Sequence, residues 1–97
     1  MAEKEIINKI IDLLSQIRNE PKNKKKLVKL LEDFLDSIPR GEFWNSQAGQ
    51  LLGEFKNDLA YYQPNRWIRL TNEGLFGDDK LLMMVNQLLK DLESQRE

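Results

Sequence analysis

Trp44-Asn45-Ser46-Gln47-Ala48-Gly49-Gln50-Leu51-Leu52-Gly53-Glu54-Phe55-Lys56-Asn57-Asp58-Leu59-Ala60-Tyr61-Tyr62 places apolar side chains at positions 44, 48, 51, 52, 55, 59 and 62. At about 100° per residue these seven fall within an arc of about 100°, the stripe of a helix with one buried face. Leu51 and Phe55 are expected in the core. Gly49 and Gly53 lie off the centre of that arc. Each costs about 1 kcal/mol relative to Ala in a helix, so a close helix contact is expected there. Pro64 ends the period.

Three further stretches repeat the pattern. Ile6, Ile10, Leu13, Leu14 and Ile17 share a face that Ile7 and Ile11 widen. It closes near Asn19, because the residue before Pro21 is pushed out of helical geometry, whereas Pro21 itself fits a first helical turn. Leu27, Leu31, Phe34, Leu35 and Ile38 form the second face, with Val28 and Leu30 at its edges. Leu81, Val85, Leu88, Leu89 and Leu92 form the last, with Leu82 and Met84 at its edges and Met83 pointing away. Asp78 suits the N-cap of that helix, where a carboxylate meets the positive end of the helix dipole. With no run of strand period, the expected fold is all-α. It is a small antiparallel four-helix bundle, one domain over residues 1–97, with a long loop between the third and fourth helices.

That loop, Gln63 to Gly77, is 15 residues long and holds Trp67, Leu75 and Phe76. Connections of this length inside a compact domain are uncommon and often functional. Leu75 and Phe76 are expected to close one end of the bundle. Trp67, between Arg66 and Arg69, is expected at the surface. Trp67-Ile68-Arg69-Leu70 is the one stretch that would tolerate an extended conformation, and it is too short to anchor a sheet.

Of the 97 residues, 40% are hydrophobic and 32% charged, a globular composition. There is no Cys and no His. This removes disulfides, thiolate metal sites, a thiol nucleophile and the usual general base at neutral pH. No serine lies in a Gly-x-Ser-x-Gly turn, and no phosphate loop or dinucleotide fingerprint is present. The expectation is therefore no enzyme activity, no cofactor and no metal. No run of 18 apolar residues offers a membrane span. Met1-Ala2-Glu3-Lys4-Glu5 does not read as a secretory signal, so a cytoplasmic location is expected.

Net charge is −1, but it is unevenly spread. Residues 1–31 carry eight Lys or Arg against four Asp or Glu, a net +4, whereas residues 32–97 carry seven against twelve, a net −5. Such a split points either to a charged partner or to two oppositely charged ends that attract each other. Lys22, Lys24, Lys25, Lys26 and Lys29 crowd the start of the second helix. No aromatic residue for base stacking and no arginine for bidentate base reading lies among them, so a solvated charged turn is expected there. On the third helix Phe43, Gln47, Gln50, Glu54 and Tyr61 share one flank, with Asp58 on its border. A mixture of acids and aromatics suits a protein interface.

The run Leu59-Ala60-Tyr61-Tyr62-Gln63-Pro64-Asn65, then Arg66 and Arg69, then Phe76-Gly77-Asp78-Asp79-Lys80-Leu81, then Val85 and Leu88-Leu89, resembles the bacterial colicin-like immunity proteins, the colicin D type above all. Upstream, Phe34-Leu35 through Ile38 to Glu42-Phe43 is similar to that family's break between its first helices. The resemblance implies a helical bundle that binds and neutralises a tRNA-cleaving or other nuclease toxin, covering its basic cleft with acids in place of RNA phosphates. Tyr62-Gln63-Pro64 matches the family's helix-ending turn, with Gln63 in place of the usual acid. Asp78 and Asp79 match the acidic opening of the last helix, and the lysine cluster departs from the acidic pattern. The expected partner is a cognate toxin domain rather than nucleic acid, membrane or small molecule, and the expected site is Glu54, Asp58, Tyr61, Trp67, Asp78 and Asp79. The alternative is a helical adaptor or regulatory module that binds another protein without any toxin-related role.

Overall fold

The computed structural model describes residues 3–20, 22 and 24–96. The described chain is all-helical: α1 Glu3–Asn19, α2 Lys24–Ser37, α3 Glu42–Asn45, α4 Gln47–Leu59, α5 Arg66–Thr71 and α6 Asp78–Arg96. The expected place of Pro21 in a first helical turn lies outside the described residues. α1 packs on α2 and α6, and α4 packs on the same two helices. The four long helices thus contact one another in the cyclic order α1, α2, α4, α6, each burying its apolar stripe.

The core follows the periods closely on α1 and α6. Ile6, Ile7, Ile10, Ile11, Leu13, Leu14 and Ile17 of α1 are all buried, as are Leu81, Val85, Leu88, Leu89 and Leu92 of α6. The wide α1 face meets both α2 and α6, its two neighbours. On α2 the buried line is Val28, Leu31 and Leu35, continued by Ile38. Leu27 and Phe34 sit at its margin and Leu30 is exposed.

Two expectations are corrected. The third helix does not run unbroken from Trp44. Ser46 is extended, its hydroxyl accepts the Gly49 N–H at 3.1 Å, and α4 starts there as a new helix. The single turn of α3 folds back so tightly that a Cβ on Gly49 would overlap the Phe43 carbonyl oxygen and lie 2.6 Å from Trp44 Cα. Gly49 therefore serves the close contact expected of it, and Gly53, with nothing within 4 Å, does not. Leu51, expected in the core, falls at one edge of the apolar arc at about 100° per residue. Leu52 is fully buried beside Ala48, Phe55 and Leu59, while Leu51 is only partly buried at the edge of α4. Phe43, placed on the interface flank in the sequence reading, is buried and packs edge-on against Trp44 with centroids 5.2 Å apart.

The second correction lies between Gln63 and Gly77. This connection is not wholly irregular, because Arg66–Thr71 forms the short helix α5. Asn65 caps it, its side chain accepting the Trp67 N–H at 2.9 Å, as an Asn before a helical turn does. At the far end Thr71 Oγ1 donates to the Ile68 carbonyl.

Candidate functional site

The segment holding α5 is a strap whose ends meet. The Phe76 N–H donates to the Tyr61 carbonyl at 2.9 Å, and the Gln63 N–H donates to the Phe76 carbonyl at 2.8 Å. Phe76 enters the core, which places one of the two expected closing residues, and its ring lies 5.9 Å from that of Tyr62. The Tyr62 hydroxyl donates to the Asp78 carboxylate, tying the end of α4 to the start of α6. Burial first, then the Asp78 hydrogen bond and charge, hold the Tyr62 phenol well above its ordinary range, with Arg69 opposing. Arg69 crosses the strap from inside. Its Nη1 donates to the Gln63 carbonyl at 2.7 Å. The guanidinium lies so near Gly77 that a Cβ there would sit 2.7 Å from it.

These contacts fix the backbone of α5 but bury none of its residues. Trp67 is 76% exposed, Leu70 67% and Ile68 41%. A short helix anchored by one arginine and by its own caps thus presents three large apolar side chains to solvent. Trp67 was expected at the surface; Leu70 and Ile68 were not singled out, because six residues are too few to show a period.

The six residues expected to form the site occupy three places. Glu54 and Asp58 stand one turn apart on α4, on the wall of a groove between α4 and α6. The groove has a volume of about 430 Å³ and is lined also by Leu51, Met83, Met84 and Asp91. Asp78 and Asp79 border a second, polar hollow with Pro64, Arg69 and Gly77. Lys80 lines both, so the two hollows adjoin across it. Tyr61 is exposed where α4 ends, and Trp67 is exposed on α5. Asp78 does not take the N-cap position expected of it. Gly77 does, since its carbonyl accepts the Leu81 N–H, and Asp78 in the first turn turns its carboxylate to Tyr62.

The lysine cluster divides. Lys24 is buried, and its ammonium donates to the carbonyls of Ile17 and Glu20, closing the C-terminal end of α1, a placement favoured by the helix dipole. Lys29 pairs with Asp33 one turn on, at 3.5 Å and well exposed. Lys22, Lys25 and Lys26 are exposed. Only Lys24 therefore departs from the solvated turn expected.

Among the described residues no cluster of three acidic, His or Cys side chains would hold a metal ion, and no helix is long and apolar enough to cross a membrane. Searches against protein-family models, curated proteins and solved structures find no match to this chain.

Proposed function

We propose that this protein acts by binding another protein, and that the partner is a basic toxin domain which it neutralises by occlusion. The four long helices are read as an antiparallel bundle that carries the binding surface at one end. The observation that supports this reading is Trp67. A tryptophan left exposed on a helix that is itself held rigidly has the character of an interface anchor, where truncation typically costs about 2–4 kcal/mol. Leu70 and Ile68 extend it into an apolar patch of the kind that marks contact sites. Tyr61 at the end of α4 and the acids Glu54, Asp58, Asp78 and Asp79 of the two neighbouring hollows are read as further parts of the binding surface. Acids at an interface rim speed encounter with a cationic surface and set its salt dependence.

The toxin assignment rests on the resemblance in residues 59–92 and is tested by co-expression. The C-terminal nuclease domain of a toxin encoded next to this gene is expected to copurify with the protein and to lose its lethality in its presence. Trp67→Ala is expected to weaken that complex at least tenfold while the melting temperature of the isolated protein stays the same. A toxin domain that stays lethal and unbound excludes the toxin reading. Loss of melting temperature with undiminished binding would make Trp67 a structural residue.

A further inference from the structure

We infer that the groove between α4 and α6 is a second contact site, and that it takes a cationic amphipathic helix of the partner. The inference rests on the protein-binding reading above and shares Glu54 and Asp58 with it, but its apolar residues are different. The apolar part of the groove is Leu51, Phe55, Met83, Met84 and Leu88. Met83 is 72% exposed although it sits on a helix whose other large apolar residues are buried or half-buried. Methionine is the apolar side chain that best adapts to varied partners. The groove is wide open to solvent, so it cannot enclose a small molecule as a ligand pocket does. From Lys80 to Asp91 the α6 wall rises by roughly 16 Å at 1.5 Å per residue. That is about three helical turns, the length over which a docked helix presents anchors at i, i+3 or i+4, and i+7.

Charge decides which helix. Glu54 and Asp58 are four apart on α4, and like charges at that spacing repel. The ion pairs among the described residues are Lys29–Asp33 and Lys56–Asp36, so neither Glu54 nor Asp58 has a basic partner there. Asp91 adds a third acid, its carboxylate accepting from the Gln87 amide. The one cation on the rim, Lys80, has its ammonium over the Phe76 ring, 5.4 Å from the centroid. An apolar floor between unpaired acids fits a helix with an apolar stripe flanked by Lys or Arg.

The test uses the full chain labelled at the methionine methyls, two of which, Met83 and Met84, report on the groove. A synthetic helical peptide with a Leu stripe flanked by Arg is titrated into it. Saturable movement of both methyl signals is expected. The affinity is expected to fall at least tenfold in the double variant Glu54→Gln, Asp58→Asn and to be unchanged in Trp67→Ala. Methyl signals that do not move, or equal binding of a peptide with the same charge and a scrambled stripe, would overturn the inference. So would a second copy of this chain in the groove. Its exposed Lys25, Lys26, Lys29 and Leu30 make that the competing occupant. It would appear as concentration-dependent dimerisation, abolished by Glu54→Lys, in sedimentation without peptide. If the peptide binds as expected while Trp67→Ala leaves toxin binding intact, the groove stands and the Trp67 anchor falls.

Discussion

Tyr62 stands with its ring beside Phe76 and its hydroxyl on Asp78, and this has a consequence at high pH. In the unfolded chain the phenol titrates near 10, whereas in the fold burial and Asp78 keep it protonated well beyond that. Above pH 10 the unfolded chain therefore binds fewer protons than the folded one, and stability falls as pH rises. Denaturation midpoints measured from pH 8 to 11 are expected to drop more steeply for the native protein than for Tyr62→Phe, and parallel curves would refute the linkage. A second residue-scale contrast is Leu51 and Leu52. Leu52 is fully buried, so Leu52→Ala is expected to cost about 2–5 kcal/mol through lost transfer energy and the cavity left behind. Leu51 borders the groove, and its truncation is expected to cost roughly 1 kcal/mol, the scale of a partly buried side chain. Chemical denaturation of both variants separates them.

At the scale of the element, α4 holds two glycines with opposite expectations. Ala at 49 collides with the backbone of α3, whereas Ala at 53 meets open space in the middle of a helix. Gly53→Ala is expected to raise stability by about 0.5–1 kcal/mol, and Gly49→Ala to lower it by more than that. Melting curves of the two single variants provide the check. The same helix shows where the sequence was legible. The stripes on α1 and α6 mark the buried residues because nothing interrupts those helices. Across α3 and α4 the apolar positions Trp44, Ala48 and Leu51 stay in phase through the break. Periodicity therefore could not reveal it, and the signal present was Ser46 as an N-cap. α5 escaped for the opposite reason: the helix is too short to show a repeat. Of the candidate site, exposed Trp67 and the acids were legible as residue types. The division of the acids between two hollows was not, since it depends on how α6 lies along α4.

For the whole molecule the charge split now has a narrower meaning. Among the described residues one ion pair is local to α2, and the other, Lys56 with Asp36, joins α4 to α2 inside the acidic part of the sequence. No described ion pair draws distant basic and acidic segments together. Association with a basic partner is expected to slow as salt is raised from about 0.01 to 0.15 M, because the screening length shortens from about 30 to 8 Å. Stopped-flow rates would show this, with dissociation changing far less. A salt-independent association rate would mean that the acids do not steer the encounter.

The meeting of the strap's two ends at Tyr61, Gln63 and Phe76 has a modular consequence. Those joining bonds are backbone to backbone, and between them the Asn65 and Arg69 side chains hold the strap, whereas Trp67, Ile68 and Leu70 stand exposed. The stretch around α5 is expected to behave as a cassette: its exposed residues can be exchanged while Asn65, Arg69 and the frame that holds it persist. Replacing Trp67, Ile68 and Leu70 together by residues of another polarity is expected to redirect recognition and leave the fold where it was.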